Sequence, residues 1–341
     1  QASEANPAPA IVLIPGSGEL GPEGIVPPVN SPANEPSLST ISSFASAFYD
    51  AGYHTLQLGK PGVEHFSSWD KFMARDNFYN EEMWNALTWG DLIQNVQSAI
   101  DYLNSDPSVD SSQIYLLGHS EGSVIAIDAA SEIQGIKGLF LMGLVGREIS
   151  EVIGWIHHDS RIERLIRPII DANGNGIVEA REARYWPHGA IFPPTAEDWD
   201  WEEKGSVPIA TLEQLWKQDP TLTESASMAM WIGRYPFWNE FVGRTDMIGR
   251  AAALPLDLHV FTGRNDLNTW PSSAEKLKNQ CAETGKSNCF VYIIPSLTHT
   301  FANLNETPAG PFQTVILDQG LGAVDRSFLD FLRLYALDQR D

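Results

Sequence analysis

The sequence has little positive charge, and this shortage excludes two classes of partner. Its 341 residues include 22 Lys and Arg against 44 Asp and Glu, which gives a formal net charge of -22 at pH 7. Nucleic acids and anionic membrane surfaces are bound by clustered Lys and Arg side chains. We therefore expect neither kind of partner.

Long apolar runs are also missing. No stretch approaches the ~20 consecutive apolar residues that a membrane-spanning helix needs, so no membrane span is expected. The composition is nevertheless that of a folded protein, since 43% of the residues are hydrophobic and 10% are aromatic. The length suits one large α/β domain that carries an insertion.

Cysteine is scarce as well, because Cys281 and Cys289 are the only two in the chain. Both lie in the short hydrophilic stretch CAETGKSNC, and so close a pair favours a disulfide over two reduced thiols. A disulfide implies an oxidising compartment. The chain starts at Gln1 rather than Met, which fits removal of a signal peptide and also fits a trimmed chain. The expectation is a secreted or periplasmic protein.

Short apolar runs alternate with segments of helical spacing along most of the chain. Continuous apolar strands separated by helices predict an α/β fold, a parallel sheet covered by helices on both faces. The predicted strands are 11–15, 53–58, 114–117, 136–144, 256–262 and 289–294. The predicted helices are 37–50, 87–103, 124–133, 273–281 and 324–337.

One long segment breaks this alternation. Residues 147–254 contain no predicted buried strand but hold seven of the eleven Trp residues. We interpret 147–254 as a mainly helical cap over the carboxyl edge of the sheet, 11–146 and 255–341 as the core, and 1–10 as a flexible tail. Most of these Trp side chains are expected to build the cap's own core. The more specific alternative is that one or two of them line a pocket.

The segment Gly118-His119-Ser120-Glu121-Gly122 carries the strongest catalytic signal. It matches GxSxG, follows the apolar strand IYLL and opens the helix SVIAIDAASEI, which is the strand–turn–helix setting of a nucleophile elbow. Glycines are needed because side chains at 118 and 122 would collide where strand and helix meet. Ser120 is thus the predicted nucleophile, with an unreactive turn serine as the alternative. The Glu121 carboxylate is expected to sit favourably at the positive end of the helix.

A serine nucleophile needs a base and an acid that orients the base. His299 follows the last predicted strand in VYIIPSLTHTF, where a loop can return it to the sheet edge. Asp266 follows the fifth strand in LDLHVFTGRND and is the predicted acid, with Glu148 after the fourth strand as its rival. The other histidines are given packing, loop or surface roles: His54, His65, His119, His157, His158, His188 and His259.

With these residues the chain resembles the α/β-hydrolase superfamily, and within it the esterases and lipases. The resemblance covers 11–146 and 255–341, and the chain order Ser120, Asp266, His299 is the family's order. The position of the predicted cap, after the strand that follows the nucleophile helix, is also where this family commonly carries one.

The resemblance implies an oxyanion hole made of two backbone amides. One belongs to Glu121, the residue after the nucleophile. The other belongs to Ser17 in the loop after the first strand, with Gly18 as the alternative. The alternative stays open because this loop reads PGSG at 15–18, where the family usually has His-Gly.

A second motif lies inside the predicted cap. Residues 171–182 read DANGNGIVEARE and satisfy D-x-[DN]-x-[DN]-G-x₅-E at every position. The pattern resembles a calcium loop of the EF-hand or dockerin type, and a solvated Asn-Gly turn is the alternative. The implied ligands are the side chains of Asp171, Asn173, Asn175, Glu179 and Glu182 and the carbonyl of Ile177. Because only one loop is visible, a structural calcium ion is expected rather than a sensor.

The sequence therefore predicts a serine hydrolase that cleaves carboxylic esters through an acyl-enzyme. Its expected partner is a small-molecule acyl substrate, and its expected cofactor is structural calcium with no organic cofactor. Cleavage of amides, peptides or thioesters on the same fold is the first alternative. A non-catalytic binding protein stabilised by calcium is the second.

Overall fold

The structure is a computed structural model that describes residues 7–22, 24, 39–63, 80–154, 161–184, 191–193, 195–196, 199–222, 229, 232–233, 235, 237–303 and 324–340. Its strands are β1 (Ala8–Ile14), β2 (His54–Gln57), β3 (Val109–His119), β4 (Ile136–Met142), β5 (Ile177–Glu179), β6 (Ser206–Pro208), β7 (Asp257–Gly263) and β8 (Cys289–Ile294). Six of them form one parallel sheet in the order β2-β1-β3-β4-β7-β8. Helices cover both faces of this sheet, so the predicted fold class is confirmed.

The helices of the described residues follow the same alternation. They are α1 (Thr40–Asp50), α2 (Glu81–Ala86), α3 (Trp89–Ser105), α4 (Glu121–Glu132), α5 (Ile149–Gly154), α6 (Ala180–Ala183), α7 (Trp201–Lys204), α8 (Ile209–Gln218), α9 (Trp238–Phe241), α10 (Met247–Ala253), α11 (Pro271–Glu283) and α12 (Arg326–Asp338). A π-helical segment, Arg161–Ile170, and a 3₁₀ turn, Pro220–Leu222, complete the list.

The first strand starts earlier than the sequence indicates. Ala8 pairs with Val109, and its backbone N–H donates to the Ser108 carbonyl at 2.9 Å. The prediction of a flexible tail over 1–10 is therefore wrong for 8–10, because backbone pairing with β3 extends the strand beyond its apolar run. Residues 1–6 lie outside the described residues.

Capping side chains decide where the helices begin. Ser39 accepts the backbone N–H of Ser42 through Oγ at 3.0 Å, so α1 begins at Thr40 rather than at the predicted 37. Thr88 and Asp91 bond each other's backbone N–H at the start of α3. Such reciprocal caps satisfy donors that the first helical turn leaves open.

Two apolar clusters bury the two faces of the sheet. One contains residues of α3, α4, α10 and α11 against the sheet, with Trp89 and Val96 fully buried. The other joins α1 and α12 to the opposite face through Phe44, Phe48 and Leu332. Burial of both faces explains why the strands appear in the sequence as continuous apolar runs.

The segment between β4 and β7 differs from its prediction in two ways. It contains β5 and β6, an antiparallel pair in which Val178 lies opposite Val207 and both are fully buried, so the expectation that 147–254 lacks buried strands is wrong. Three-residue strands are too short to produce a recognisable apolar run. The separate apolar cluster of this segment includes Ile162 and Trp216, whereas Phe237 and its neighbours join the main core.

Among the described residues, no helix is long and apolar enough to cross a membrane. This agrees with the sequence, which contains no run of the ~20 apolar residues that such a helix requires.

Candidate active site

Ser120 occupies the sharp turn between β3 and α4. Its backbone has φ 55° and ψ -123°, a conformation that few residues other than glycine adopt. The backbone N–H of Ser120 donates to the Met142 carbonyl at 2.9 Å, and the Ser120 carbonyl accepts the N–H of Ser123 at 2.8 Å. The turn therefore holds the serine at the carboxyl edge of the sheet, at the amino end of a twelve-residue helix.

The two glycines of the motif are required by close backbone contacts. A Cβ on Gly118 would stand 2.1 Å from the Gly122 carbonyl oxygen. A Cβ on Gly122 would stand 2.4 Å from the Ile14 carbonyl oxygen. The collisions inferred from the sequence are thus present, and one of them involves β1 rather than the turn itself.

The structure brings together the predicted base and the predicted acid. His299 Nδ1 donates to Asp266 Oδ2 at 2.8 Å, and both side chains are buried. This bond places the ring proton on Nδ1 and the basic lone pair on Nε2, which is the arrangement that a general base needs. Glu148, the rival acid, is exposed and lines a cleft with Glu151 and Lys276 instead.

Asp266 is fully buried, and its charge is stabilised locally. It accepts the backbone N–H groups of Asn268 at 2.8 Å and Thr269 at 2.6 Å, and the Thr269 hydroxyl at 2.6 Å. Burial alone raises the pKa of this carboxyl, but the charge and hydrogen bond of His299 and the bonds from Thr269 lower it overall, below its ordinary value. Asp266 is thus held as a carboxylate.

Two further residues support this pair, and the sequence did not single them out. A Cβ on Gly143 would stand 3.2 Å from the His299 ring and 3.5 Å from Asp266 Oδ2, so glycine is what lets the pair approach the end of β4. The sequence did contain one indication of this role, because Gly143 directly follows the apolar strand β4. Thr269 could not be found from spacing, because its role depends on the turn that follows β7.

His119 lies behind the predicted base. Its Nε2 donates to the His299 carbonyl at 3.0 Å, and the two ring centroids are 4.9 Å apart. Burial, followed by repulsion from His299, lowers the pKa of His119 to about 3. A neutral His119 therefore fixes the backbone that carries His299.

The other histidines, for which the sequence predicted no catalytic role, fall into two groups. His259 is buried, as expected for a packing residue, and His54 is half-buried, with Nε2 donating to the Ser108 carbonyl at 3.1 Å. The others lie outside the described residues: His65, His157, His158 and His188. Three of the tryptophans assigned to the cap also lie outside them: Trp155, Trp186 and Trp231.

The loop after β1 lies against the serine. A Cβ on Gly16 would stand 3.1 Å from Ser120 Cβ and 3.3 Å from the His119 carbonyl. Ser17 and Gly18 follow at once, and Gly18 has φ 111°. The loop predicted to supply the second oxyanion amide thus adjoins Ser120.

Glu121 lies in the first turn of α4, as the sequence suggested, and its side chain is buried. It is 1% exposed, and its two oxygens accept from Lys60 Nζ at 2.6 Å and from Trp238 Nε1 at 2.7 Å. Besides its place at the helix end, the carboxylate is therefore held by two donors that the sequence did not indicate. Both partners are far away in the sequence, so no local pattern indicates them.

The predicted calcium loop adopts a turn that its own polar side chains organise. Asp171 is buried and accepts the N–H groups of Asn175 at 3.1 Å and Gly176 at 2.8 Å. Asn173 Nδ2 donates to Glu182 Oε1 at 3.0 Å, so the first and last parts of the loop are joined. In the part of the chain that the structure describes, no three His, Cys, Asp or Glu side chains converge as metal ligands.

The loop is paired with a second segment by reciprocal contacts. Val178 lies opposite Val207. The N–H of Ala180 donates to the Gly205 carbonyl and the N–H of Ile209 donates to the Gly176 carbonyl, both at 3.0 Å. Helices α6 and α8 begin at Ala180 and Ile209. The contacts that one segment makes to the other are thus repeated in the reverse direction, as in a pair related by an approximate local twofold axis.

The predicted disulfide is confirmed. It joins Cys281 to Cys289 across a Cα separation of 6.4 Å. Cys281 lies in the last turn of α11 and Cys289 is the first residue of β8.

Comparisons with known proteins show no family for this chain. No protein-family model and no curated protein sequence matches the chain. A sugar hydrolase from Lactococcus lactis is 12% identical, with 98% of this chain and 90% of that chain covered and a TM-score of 0.46. A protein from Butyrivibrio proteoclasticus solved with ferulic acid is 14% identical, with 99% and 92% covered and a TM-score of 0.46. A proline iminopeptidase-related protein from Thermus thermophilus is 13% identical, with 99% and 93% covered and a TM-score of 0.47.

The class of the fold follows from the chain's own topology. The parallel order β2-β1-β3-β4-β7-β8, with an elbow between β3 and α4, defines an α/β-hydrolase fold. The segment between β4 and β7 is its insertion.

Proposed function

We propose that this chain is a serine hydrolase that cleaves carboxylic esters. The observation that carries the proposal is the placement of three side chains at one edge of the sheet. Ser120 is held at φ 55° in the elbow, and the buried pair of His299 and Asp266 is joined at 2.8 Å beside the ends of β4 and β7. A strained nucleophile, a base and an orienting acid at one site are the parts that acyl transfer requires.

The proposed reaction has two steps that use the same residues. His299 Nε2 takes the hydroxyl proton as Ser120 Oγ attacks the acyl carbonyl, and then gives that proton to the leaving alcohol. Water, deprotonated by the same nitrogen, releases the acyl group. Asp266 holds the Nδ1 proton throughout and stabilises the imidazolium that forms in each step.

Two backbone amides are proposed to stabilise the negative oxygen of the tetrahedral intermediate. The first is that of Glu121 at the amino end of α4, where the helix dipole adds to the hydrogen bond. The second comes from the loop after β1, with Ser17 as the donor and Gly18 as the alternative. Loss of one such donor typically lowers the rate by ~10²–10³-fold.

Covalent labelling tests the nucleophile directly. A fluorophosphonate probe should label the wild-type chain, and mass spectrometry should locate the adduct on Ser120. Ser120→Ala should remove the label and lower kcat on p-nitrophenyl esters by about 10⁴-fold or more. Ser131→Ala is the matched control, because Ser131 lies on the same helix and its hydroxyl donates only to the Ile127 carbonyl.

The same preparations separate the alternative functions. Faster turnover of p-nitroanilides or thioesters than of matched esters would replace the ester hydrolase by a peptidase, amidase or thioesterase. A wild-type chain that neither labels nor hydrolyses any of these would support the non-catalytic binding protein. The substrate in the proposed reading is a small acyl ester.

We further propose that the loop 171–182 binds one structural calcium ion. The support is its donor chemistry, since three carboxylates, two side-chain amides and the Ile177 carbonyl offer the oxygen ligands that calcium prefers. Asp171 is already buried at the loop, and Val178 ties the loop to β6. A bound cation would relieve the repulsion among Asp171, Glu179 and Glu182.

Thermal unfolding and titration calorimetry test the calcium proposal. Wild type should bind one calcium per chain and unfold at a higher temperature with calcium than with EDTA. Glu182→Gln should lose both effects. Asp200→Asn is the control: Asp200 caps α7 in the paired segment, and an asparagine preserves that cap. Equal melting temperatures of the wild type in calcium and EDTA would overturn the proposal.

The compartment is likewise proposed to be outside the cytosol, secreted or periplasmic. Its support is the bond between Cys281 and Cys289, since disulfides persist in oxidising compartments. Protein isolated from its source and unfolded without reductant should show no reactive thiol; two reactive thiols would contradict the assignment.

A further inference from the structure

The carboxylate of Glu121 is held by two donors that come from distant parts of the chain. Lys60 Nζ lies 2.6 Å from Oε1, and Trp238 Nε1 donates to Oε2 at 2.7 Å. All three residues are almost completely buried, with exposed fractions of 1% for Glu121 and 3% for both Lys60 and Trp238. The group is therefore a buried network, and removal of Lys60 or Glu121 leaves an uncompensated charge in the interior.

Lys60 also touches the other half of the proposed oxyanion hole. Its backbone N–H donates to the Leu20 carbonyl at 3.0 Å, in the loop that begins at Gly16 beside Ser120. Lys60, which lies in the loop after β2, thus contacts both parts of the proposed oxyanion hole. It binds the side chain of Glu121, whose amide is the first donor, and the backbone of the loop that carries the second donor.

Trp238 connects the same network to the insertion between β4 and β7. It lies in α9, where its ring packs against Tyr235 and Phe241 with centroids 5.5 and 5.4 Å away. The Lys60 ammonium also lies 5.2 Å from the ring of Phe237 in this segment. The carboxylate of the amide donor is therefore fixed between the core and the insertion.

Charge gives this arrangement a consequence for catalysis. Glu121 follows the nucleophile directly, so its carboxylate is a fixed negative charge close to the place where the oxyanion develops. In a buried site such a charge opposes the oxyanion more strongly than it would in water. An ammonium at 2.6 Å and an indole N–H at 2.7 Å compensate it.

We propose that Lys60 and Trp238 are positioning residues for the oxyanion hole: they fix and neutralise the Glu121 side chain, so that its backbone amide faces the reacting carbonyl. The proposal rests on the serine hydrolase function proposed above. It predicts that loss of Lys60 impairs the tetrahedral state more than the binding of substrate.

The test uses three variants of the full chain and one control. Lys60→Met removes the cation and keeps the apolar length. Lys60→Met combined with Glu121→Gln removes both charges but keeps the backbone amide and an acceptor for Trp238. Trp238→Phe keeps the aromatic packing and removes only the indole donor. The readouts are kcat and KM on p-nitrophenyl acetate and the inhibition constant of benzeneboronic acid, which forms a tetrahedral adduct with an active serine.

Asp128→Asn is the matched control. Asp128 lies on the same helix and is buried; its Oδ2 accepts from Trp89 Nε1 at 2.8 Å and from Arg244 Nε at 2.5 Å, and its Oδ1 forms an ion pair with Arg250 Nη2 at 2.6 Å. It is two helical turns from Ser120. Asp128→Asn should lower the melting temperature as Lys60→Met does, but it should leave kcat and the boronate inhibition constant at their wild-type values.

We expect Lys60→Met to lower kcat by about 10–100-fold with little change in KM, and to weaken boronate inhibition by a similar factor. The double variant should lose much less than Lys60→Met, because no buried charge remains unpaired. Trp238→Phe should lower kcat several-fold. A merely structural role predicts instead that stability falls while kcat and boronate inhibition do not.

The outcomes separate this inference from the function on which it rests. A wild-type chain that does not label at Ser120 and hydrolyses no ester removes the serine hydrolase itself. A wild type that does both, with a folded Lys60→Met of unchanged kcat, overturns the positioning role alone. If Lys60→Met does not fold, Trp238→Phe decides, and wild-type kcat and boronate inhibition in that variant contradict the proposal.

Discussion

Ser120 shows how much a single residue depends on its neighbours. Its φ of 55° is a conformation that costs of the order of 1–3 kcal/mol for a residue with a side chain. It persists because the turn is held by the hydrogen bond to Met142, and because Gly118 and Gly122 leave room for the backbone to pass. The proposed nucleophile is thus positioned by residues that take no part in the proposed reaction.

Gly122→Ala tests this dependence. The new Cβ would stand 2.4 Å from the Ile14 carbonyl and 2.7 Å from that of Pro15, so β1 or α4 must move. We expect kcat/KM on p-nitrophenyl esters to fall by about 10²-fold or more, since small displacements at a reacting group have effects of this size. The melting temperature should fall as well.

The control for that variant is Gly90→Ala in α3. A Cβ there meets only Thr88 Oγ1 at 3.6 Å, an ordinary contact, and alanine favours the helix. Its activity should be that of the wild type. Equal activity of Gly122→Ala and Gly90→Ala would show that the turn tolerates a side chain.

Among the secondary-structure elements, α4 is the one on which the site is built. It presents the Glu121 amide at its first turn, and its side chains at 121 and 128, two turns apart, both bind residues of the segment 235–250. At one edge of the sheet, β8 pairs with β7 alone among the described residues. The disulfide compensates for this by joining β8 to α11.

Removal of the disulfide should therefore have a measurable cost. Replacing both Cys281 and Cys289 by serine should lower the free energy of unfolding by about 2–3 kcal/mol, the loss of loop-closure entropy for so short a loop. Urea denaturation with and without dithiothreitol measures it. The reductant should destabilise wild type to the same extent and leave the variant unchanged, and an unaffected wild type would contradict the prediction.

For the whole molecule, two buried histidines link stability to acidity. Burial lowers the pKa of His259 to about 4, with Asp257 acting against this shift and Lys137 with it. Its Nδ1 lies 2.8 Å from the Tyr335 hydroxyl of α12, and its ring stacks on Phe140 of β4. His119 behaves in the same way, with a pKa of about 3.

Acid should accordingly weaken the fold. An unfolded histidine titrates near pH ~6.5, so the unfolded chain binds more protons once the pH falls below that value. The stability that neutral His259 provides is complete above pH ~6.5, declines as the pH falls, and is lost by about pH 4. The total is about 3 kcal/mol for this residue.

His259→Gln is the variant that measures this contribution. Glutamine can bond the Tyr335 hydroxyl but does not titrate. Its unfolding free energy, measured with urea between pH 7 and pH 4, should decline less steeply than that of wild type. Parallel declines in the two proteins would assign the acid sensitivity to other groups.

The features that could be predicted from the sequence are those that a short stretch of residues indicates. The six strands of the sheet are apolar runs, the elbow is a five-residue motif between a strand and a helix, and the short spacing of Cys281 and Cys289 indicated their bond. A meeting of Asp266 with His299 was also expected, because both follow predicted strands and the carboxyl ends of parallel strands meet at one edge.

Features that depend on contacts between residues far apart in the sequence could be found only in the three-dimensional structure. The burial of Glu121 needs Lys60 and Trp238, which are 61 and 117 residues away. The pairing of β5 with β6 needs two strands of three residues each, too short for a visible period. A local pattern indicates which secondary-structure element forms. The partners of a buried charge depend instead on how the elements pack, and packing brings together residues that are not related by any spacing in the sequence.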